Sequence, residues 1–188
     1  ILDIQVLSPM NKGACGVKAL NVRLQAALNP SPAERVQVSG HPLGTGDKVL
    51  QLRNNYALGV LNGDVGTVDS IDHENKAVQV CFDSGMVSVP FSDLSDLTTA
   101  YAITVHKSQG SQVPAVVMPM VTEHWNMLQR NLLYTAVTRA SKLVVIVGQH
   151  RALAAAVRTA TDTARVTRLA TLMARAAHKG RPHLSVVA

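Results

Sequence analysis

The spacing of apolar residues along the chain changes twice and divides it into three stretches. In the first, apolar positions alternate over 2–7 and then recur every three or four residues over 17–28. This pattern predicts a strand followed by an amphipathic helix. Asn29-Pro30 is predicted to end the helix.

The middle stretch, 46–97, consists of short apolar segments separated by turn-forming residues. Asn62-Gly63 and Asp83-Ser84-Gly85 are typical of turns between antiparallel strands. The predicted strands are 48–52, 65–71, 77–82 and 86–90. Short strands at this density favour a small β-barrel.

From residue 98 onward, apolar strands again alternate with helical segments. The pattern predicts an apolar segment at 100–107, a strand at 113–118, a helix at 126–139, a strand at 143–147 and a helical tract over about 150–177. The 143–147 run is apolar at every position, as in a strand covered on both faces of a parallel sheet. Strand–helix units on both sides of an all-β stretch predict an α/β layer domain with a β insertion.

Charge is distributed unevenly along the chain. Residues 1–97 contain 7 Lys/Arg and 10 Asp/Glu, a net charge of −3, whereas residues 98–188 contain 11 Lys/Arg and 2 Asp/Glu, a net charge of +9. The net charge of +6 therefore comes entirely from the second half of the chain. A basic half is typical of proteins that bind polyanions, and a solvated basic face is the alternative. The same two interpretations apply to the recurring arginines of the C-terminal tract, Arg151, Arg158, Arg165, Arg168 and Arg175.

Composition also indicates where the protein works. No apolar stretch approaches the roughly 18 residues of a membrane-spanning helix, and the N-terminus lacks the pattern of a secretory signal. The two cysteines, Cys15 and Cys81, do not have the spacing of metal ligands. We therefore expect a reduced, cytoplasmic protein with no membrane partner and no metal site in this chain.

Three ordered motifs resemble those of one protein family, the RecD-like superfamily 1 DNA helicases. Residues 8–21, 101–112 and 133–140 resemble motifs IV, V and VI, with the sequences SPMNKGACGVKALN, YAITVHKSQGSQ and LYTAVTRA. Residues 46–49 and 61–66 resemble the runs that flank the SH3-like insertion of these helicases. The resemblance covers nearly the whole chain, in the family's order and spacing.

The resemblance implies an α/β fold, in which a RecA-like parallel-sheet domain of the P-loop NTPase type carries an inserted small SH3-like β-barrel. The RecA-like domain would comprise 1–61 and 98–188, and the inserted module 62–97, for which a spacer role is the alternative to DNA binding. The chain has no P-loop sequence and no acidic strand end for Mg²⁺. We therefore expect ATP with Mg²⁺ to be bound mainly by a first RecA-like domain upstream in the same chain.

The resemblance also implies roles for individual residues at the nucleotide. Arg139 would be the catalytic arginine finger, because a guanidinium is always charged and contacts two phosphate oxygens; a surface arginine at a helix end is the alternative. Lys12 would be a second γ-phosphate contact, or else an exposed loop lysine. The implied ATP-binding residues are Lys12, Gly110, Ser111 and Gln112, of which Gln112 departs from the Glu common at its position.

The motif V segment would contact single-stranded DNA. Hydroxyl, imidazole and backbone N–H groups crowd this segment, as binding of a phosphate backbone without sequence reading requires. The implied DNA-binding residues are Thr104, His106, Lys107, Ser108, Gln109 and, in the insertion, Asn62. For His106 alone, a hydrogen-bonded core histidine is the alternative.

The implied function is that of the C-terminal motor half of an ATP-dependent 5′→3′ DNA helicase, inactive without the upstream domain. Its partners would be single-stranded DNA and the upstream RecA-like domain, with a nuclease complex left open. Two alternatives are the helicase part of a conjugative relaxase and a non-catalytic nucleic-acid-binding module.

Overall fold

The computed structural model describes residues 3–38 and 41–160. The strands and α-helices of these residues are, in chain order, β1 (Ile4–Ser8), α1 (Val17–Leu28), β2 (Arg35–Val38), β3 (His41–Gly44), β4 (Lys48–Gln51), β5 (Val65–Asp72), β6 (Ala77–Phe82), β7 (Gly85–Pro90), β8 (Leu97–Thr99), β9 (Ala102–Thr104), β10 (Val113–Met120), α2 (Arg130–Val137), β11 (Ala140–Gly148) and α3 (His150–Arg158). Two 3₁₀-helices span Phe91–Asp96 and Thr122–Met127. The predicted C-terminal helical tract begins as α3, and its remainder, with Arg165, Arg168 and Arg175, lies outside the described residues.

Four strands form a parallel sheet in the order β11-β10-β1-β9, as the alternation of strands and helices predicts. At its centre Val6 of β1 pairs with Val117 of β10. Leu7, Val116 and Met118 are completely buried and form a core with apolar residues of α2 and α3. The apolar side chains of the sheet and of the two helices are therefore buried against each other, and this burial stabilises the layered structure.

Helix α1 covers the outer edge of this sheet. The buried Asn21 amide donates to the backbone oxygen of Ala102 (2.9 Å) and accepts from its N–H (2.8 Å). An edge strand presents unpaired backbone groups, and Asn21 satisfies both groups of Ala102 as a neighbouring strand would. This polar residue of α1 thereby fixes β9, the strand that leads into motif V.

The middle stretch folds into an antiparallel sheet in the order β7-β6-β5-β4-β8. Together with the β2-β3 hairpin it encloses a second core, in which Val49, Val68, Val78 and Val80 are almost completely buried. The four strands predicted from the sequence are confirmed. The sheet extends beyond the predicted module 62–97, because β4 pairs with both β5 and β8; the module's boundaries stay a prediction.

The predicted helix at 126–139 is interrupted. The 3₁₀-helix Thr122–Met127 is followed by an extended Gln129 (φ −127°, ψ 147°), and α2 begins only at Arg130. The N–H of Arg130 donates to the backbone oxygen of Thr159 (3.0 Å). The N–H groups in the first turn of a helix have no acceptor within that helix. The backbone oxygen of Thr159, just after α3, supplies the acceptor for Arg130, and α2 begins at this residue.

Strand β11 lies at the edge of the parallel sheet in the described residues. The continuous apolar run at 143–147 predicts a strand covered on both faces, but Leu143 and Val147 are 55% and 56% exposed. Alternate residues of a strand share one face, so Leu143, Val145 and Val147 form an apolar stripe. The expectation of two covered faces is therefore wrong for this part of the fold.

A buried carboxylate joins the two sheets. Asp47 is completely buried and accepts hydrogen bonds from Gln25 Nε2 (2.6 Å), Asn29 Nδ2 (2.8 Å), the Gly44 N–H (2.7 Å) and the Tyr101 hydroxyl (2.8 Å). Burial, together with the bond to Asp47, raises the pKa of Tyr101 well above its usual range, so the hydroxyl stays a donor. The carboxylate therefore connects the end of α1, the end of β3 and the residue that precedes β9.

The next residue, Lys48, is also buried, with 2% of its surface exposed. Its ammonium group donates to the backbone oxygen of Ile4 in β1 (3.2 Å). Burial lowers the pKa of Lys48 from 10.5 to about 8, against the opposing effect of Asp3. Because burial disfavours the charged form, a protonated Lys48 makes folding less favourable at neutral pH.

We predict that Asp47→Ala lowers the free energy of unfolding by about 3 to 5 kcal/mol, because it leaves buried donors without an acceptor. Tyr101→Phe is the matched control. It removes one of the hydrogen bonds to Asp47 and should cost about 1 to 2 kcal/mol. Urea unfolding followed by circular dichroism measures both values, and equal losses would show that the carboxylate does not organise the junction.

We predict that the free energy of unfolding rises between about pH 8 and pH 10.5, the folded and ordinary pKa values of Lys48. In this window the unfolded chain binds more protons than the folded protein, so the free energy of unfolding increases with pH. The total increase across the window is about 3 kcal/mol. Lys48→Met should abolish this rise and should be more stable than the unmodified protein near pH 7. Urea titrations across the window test this; parallel pH curves for the two proteins would contradict it.

Candidate nucleotide and DNA site

Arg139 lies at the amino edge of the parallel sheet, between the end of α2 and the start of β11. Its guanidinium donates to the backbone oxygens of Ser111 (3.1 Å) and Thr135 (3.3 Å) and to the Thr138 hydroxyl (3.4 Å). Its backbone oxygen accepts from the Val113 N–H at the start of β10 (2.9 Å). No carboxylate forms a salt bridge with Arg139 among the described residues. The guanidinium is therefore held by neutral acceptors, and no carboxylate of the described residues neutralises its positive charge, which is available to bind an anion.

The motif V segment runs from one edge of the parallel sheet to the other. Thr104 ends β9 at the carboxyl edge, whereas Ser111 contacts Arg139 at the amino edge. Between them the backbone forms successive turns, and the N–H groups of Lys107 and Ser108 both donate to the Thr104 oxygen (3.0 and 3.3 Å). The segment is therefore a short, internally hydrogen-bonded link between the two edges.

Ser108 does not fit its expected role as a DNA contact. It is 2% exposed, and its hydroxyl donates to the backbone oxygen of Val105 (2.8 Å). Its own backbone oxygen accepts from the Ser111 hydroxyl (2.8 Å). A phosphate cannot reach a buried hydroxyl whose proton is already donated, so Ser108 stabilises the turns of the segment instead.

Thr104 and Lys107 line a groove between α1 and the antiparallel sheet. Further polar residues of this groove include Asn11, Lys18, Asn21, Gln25 and His41. Lys18 and Lys107 are both exposed. Sequence reasoning missed Lys18 and His41, because they come from other elements and no spacing along the chain relates them to Thr104.

His106 and Gln109 line a different groove, beside α2, together with Asn131 and Thr135. Both are exposed, which excludes the alternative of a core histidine at His106. The polar side chains of motif V are thus divided between two grooves, one on each side of the segment.

Gly110, Ser111 and Gln112 line a third pocket, between the amino edge of the parallel sheet and two turns of the antiparallel sheet. Asp64 and Asp83 lie on its other side. Gly110 has a φ of +89°, in the left-handed region that favours glycine. The three residues therefore sit between Arg139 and two carboxylates.

The structure separates Lys12 from Arg139. Lys12 follows β1 at the carboxyl edge, in a loop where the Ala14 N–H donates to the Glu123 carboxylate (3.3 Å). Arg139 lies at the opposite edge, one length of the 8-residue strand β10 away, which is roughly 25 Å at about 3.3 Å per residue. One γ-phosphate cannot contact both side chains. The expected role of Lys12 as a second γ-phosphate contact stays a prediction, and this separation argues against it if Arg139 is the finger.

Asn62 lies in the turn before β5, within a small polar cluster on the antiparallel sheet. Its N–H donates to Asn54 Oδ1 (2.8 Å), and the Asn54 amide donates to the Tyr56 hydroxyl (3.0 Å). Tyr56 is 80% exposed. The cluster does not line the groove of Thr104 and Lys107, so a DNA contact at Asn62 would be a separate one and stays a prediction.

The described residues contain neither a cluster of metal ligands nor a membrane-spanning helix. No three side chains of His, Cys, Asp or Glu in 3–38 and 41–160 are grouped as metal ligands would be. Within the same residues, no helix combines the length and apolar character needed to cross a bilayer. Cys15 and Cys81 are free thiols.

Two domain families match the chain: the UvrD-like helicase C-terminal domain over residues 99–147, and the SH3 domain of ATP-dependent RecD-like DNA helicases over residues 20–82. The chain is 39% identical over 137 residues to the ATP-dependent RecD2 DNA helicase of Deinococcus radiodurans. It is also 39% identical over 153 residues to the RecD subunit of the RecBCD enzyme of Mycobacterium tuberculosis. The chain belongs to the RecD-like helicase family.

The similarity covers most of this RecD-like chain but a small part of each relative. It extends over 73% of this chain and 19% of the D. radiodurans helicase, and over 81% of this chain and 26% of the M. tuberculosis subunit. The chain therefore spans roughly a fifth to a quarter of the length of these relatives.

Solved helicase structures share the fold of this RecD-like chain. Pif1 from Bacteroides, in complex with ADP-AlF3 and single-stranded DNA, matches with a TM-score of 0.56 at 18% identity, over 93% of this chain and 46% of that one. Pif1 from Candida albicans matches with a TM-score of 0.56 at 16% identity, over 95% and 50%. With the SH3 domain match, this likeness confirms the expected α/β fold, a RecA-like parallel sheet with an SH3-like insertion.

Proposed function

We propose that this chain acts as the second RecA-like motor domain of an ATP-dependent DNA helicase. Its membership of the RecD-like family supports the proposal, as does the description of the D. radiodurans relative as an ATP-dependent DNA helicase. The observation that carries it is the contact of the Arg139 guanidinium, which no carboxylate in the described residues neutralises, with Ser111 of motif V. Motifs V and VI thereby meet at one edge of the parallel sheet.

Arg139 would act as the arginine finger at this edge. During phosphoryl transfer, negative charge is spread over the γ-phosphate oxygens, and a guanidinium can contact two of them at once. Hydrogen bonds to Ser111, Thr135 and Thr138 orient the side chain before a phosphate arrives. A donor that is already oriented needs little rearrangement at the moment of reaction.

ATP itself would be bound mainly by a preceding RecA-like domain of the same chain, since the sequence here has no P-loop. Mg²⁺ would be held there as well, because it would bridge the phosphates of the bound ATP. Of the expected ATP-binding residues, Ser111 is in contact with Arg139, and Gly110 and Gln112 flank it. Lys12 is not part of the proposed nucleotide site.

Single-stranded DNA would lie in the groove of Thr104 and Lys107. The ammonium groups of Lys18 and Lys107, together with the amides and hydroxyls beside them, suit a phosphate backbone that is bound without reading its bases. The complex of Bacteroides Pif1 with single-stranded DNA supports this choice of ligand. His106 and Gln109 would add contacts on the α2 side. The 5′→3′ direction of translocation rests on the family resemblance alone.

The motif V segment would couple hydrolysis to movement along DNA. Its first residue, Thr104, lies at the proposed DNA groove, and Ser111 lies at the proposed finger. The turns between them are internally hydrogen-bonded and include the buried Ser108. A shift of Arg139 on loss of the γ-phosphate would therefore be transmitted to Thr104 and Lys107 through a compact element.

The proposal includes two further kinds of partner beyond DNA. One is the preceding RecA-like domain, without which the finger has no substrate. The other is a multi-subunit enzyme such as the RecBCD enzyme, to which the M. tuberculosis relative belongs. The matched family descriptions are those of helicases and favour neither a conjugative relaxase nor a non-catalytic module.

We predict that Arg139→Ala in the complete helicase lowers kcat for ATP hydrolysis by about three orders of magnitude, the usual scale for an arginine finger. Binding of ATP and of DNA should change far less, because the contact strengthens in the transition state. Lys142→Ala, which removes an exposed cation three residues away, is the matched control and should leave kcat unchanged. A loss below tenfold in steady-state hydrolysis would show that Arg139 is not the finger.

We predict that Lys107→Ala weakens single-stranded DNA binding similarly for unrelated sequences and makes the log–log salt dependence shallower by about 0.7, the value per phosphate neutralised. His106→Ala should weaken binding with a smaller change of slope than Lys107→Ala, because it removes a hydrogen-bonding side chain and not a permanent cation. Lys76→Ala removes an exposed cation from a turn of the antiparallel sheet and serves as the control. Fluorescence anisotropy at several salt concentrations measures all three, and an unchanged slope for Lys107→Ala would remove this residue from the DNA groove.

A further inference from the structure

A cleft outside the motifs lies between the 3₁₀-helix Thr122–Met127 and helix α3. Its lining residues include Thr122, Trp125, Arg151, Ala154, Ala155 and Arg158, and we call it the Trp125 cleft. The 3₁₀-helix follows β10 and α3 follows β11. Because both strands run in the same direction, the cleft lies at the carboxyl edge of the parallel sheet.

Helix α3 presents two arginines to this cleft. Arg151 and Arg158 are seven residues apart, which places them on one face of the helix, about 10 Å from each other along its axis. Ala152 and Ala156 are buried on the face that packs against the core. The small side chains between the arginines leave space for a ligand beside the helix.

Trp125 forms the opposite wall of the cleft and is 63% exposed. Its neighbours His124 and Leu128 are buried, at 0% and 2% exposed, so the short helix is anchored and holds the indole at the surface. Neither ring nitrogen of His124 has a hydrogen-bond partner within the described residues, and burial lowers its pKa. The residue that anchors Trp125 is therefore held as a neutral side chain.

The surroundings of the cleft are strongly basic. Residues 124–160 contain five Lys/Arg and no Asp or Glu. The acids on either side of this stretch in the sequence are Glu123 and Asp162. Glu123 accepts a hydrogen bond from the Ala14 N–H in the loop after β1 and does not line the cleft, and Asp162 lies outside the described residues. An exposed indole opposite two guanidinium groups, which form no salt bridge within the described residues, combines a stacking surface with positive charge, as in proteins that bind single-stranded nucleic acids.

We propose that the Trp125 cleft binds a nucleotide of single-stranded DNA, with a base stacked on Trp125 and backbone phosphates beside Arg151 and Arg158. The choice of DNA rests on the proposed function. The charge favours this ligand over a protein partner, since the described lining of the cleft contains two cations and no carboxylate and such a surface attracts a polyanion.

The position of the cleft fits a strand that continues from the proposed DNA groove. Thr104 ends β9 at the same carboxyl edge, and β1 alone lies between β9 and β10. Two strand spacings amount to roughly 10 Å, a distance that a few nucleotides of one DNA strand can bridge. One strand could therefore occupy the groove and the cleft together.

The only tryptophan of the chain is Trp125, so its intrinsic emission reports on the cleft alone. A labelled oligothymidylate of about 15 nucleotides should quench this emission in parallel with the rise in DNA anisotropy. Trp125→Ala should weaken binding about tenfold, within the range for loss of one stacked base. Arg151→Gln combined with Arg158→Gln should make the salt dependence shallower by about 1.4, for two phosphates. Arg35→Gln combined with Lys76→Gln removes two exposed charges elsewhere and should leave the quenching intact.

The outcomes distinguish this inference from the function on which it rests. If anisotropy rises while Trp125 emission is unchanged and Trp125→Ala binds normally, DNA is bound elsewhere, and the cleft assignment alone is overturned. If neither signal responds, DNA binding by this chain fails, and the cleft assignment fails with it. If the emission responds to the upstream RecA-like domain and not to DNA, the cleft is a protein interface, which also overturns the inference.

Discussion

A carboxylate that is fully removed from water must find hydrogen-bond donors within the protein, and Asp47 finds them in parts of the chain as far apart as Gln25 and Tyr101. The donors belong to α1, to the β2-β3 hairpin and to the entry of β9. Neither sheet could shift relative to α1 without leaving this buried group unsatisfied. The position of motif V, which begins at Tyr101, therefore depends on a residue of the insertion junction that has no part in the proposed chemistry.

The same constraint continues through motif V to its other end. Asn21 fixes both backbone groups of Ala102, and the pairing of Val113 with the Arg139 oxygen fixes the start of β10. The intervening residues have room only for tight turns, which is why Ser108 is buried and Gly110 adopts a positive φ. A segment held at both ends transmits displacement better than a flexible loop, and this is the physical basis of the proposed coupling.

Much of the fold could be predicted from periodicity, because strands and helices that bury one face leave a regular pattern. The resemblance, which covers nearly the whole chain, also implied that Ser111 of motif V and Arg139 of motif VI lie together at one nucleotide. The position of Lys12 at the carboxyl edge follows from its place directly after a parallel strand, but the burial of Ser108 could not be predicted, since a motif does not state which hydroxyl turns inward. The Asp47 junction left no sequence signal either: its donors are ordinary Gln, Asn and Tyr residues, related only by tertiary contact.

Electrostatics limits how a nucleotide could reach Arg139. On the side of the antiparallel sheet, the pocket beside Ser111 and Gln112 is lined by Asp64 and Asp83 and by one cation, the buried Lys48, so its net negative charge would repel a triphosphate. Gln112 carries no charge, so it avoids adding a third carboxylate to this pocket. On the α2 side, the guanidinium is surrounded by neutral oxygens of Thr135 and Thr138. The acidic turns of the insertion would therefore disfavour an approach of the γ-phosphate through that pocket, and the basic C-terminal half would attract the DNA.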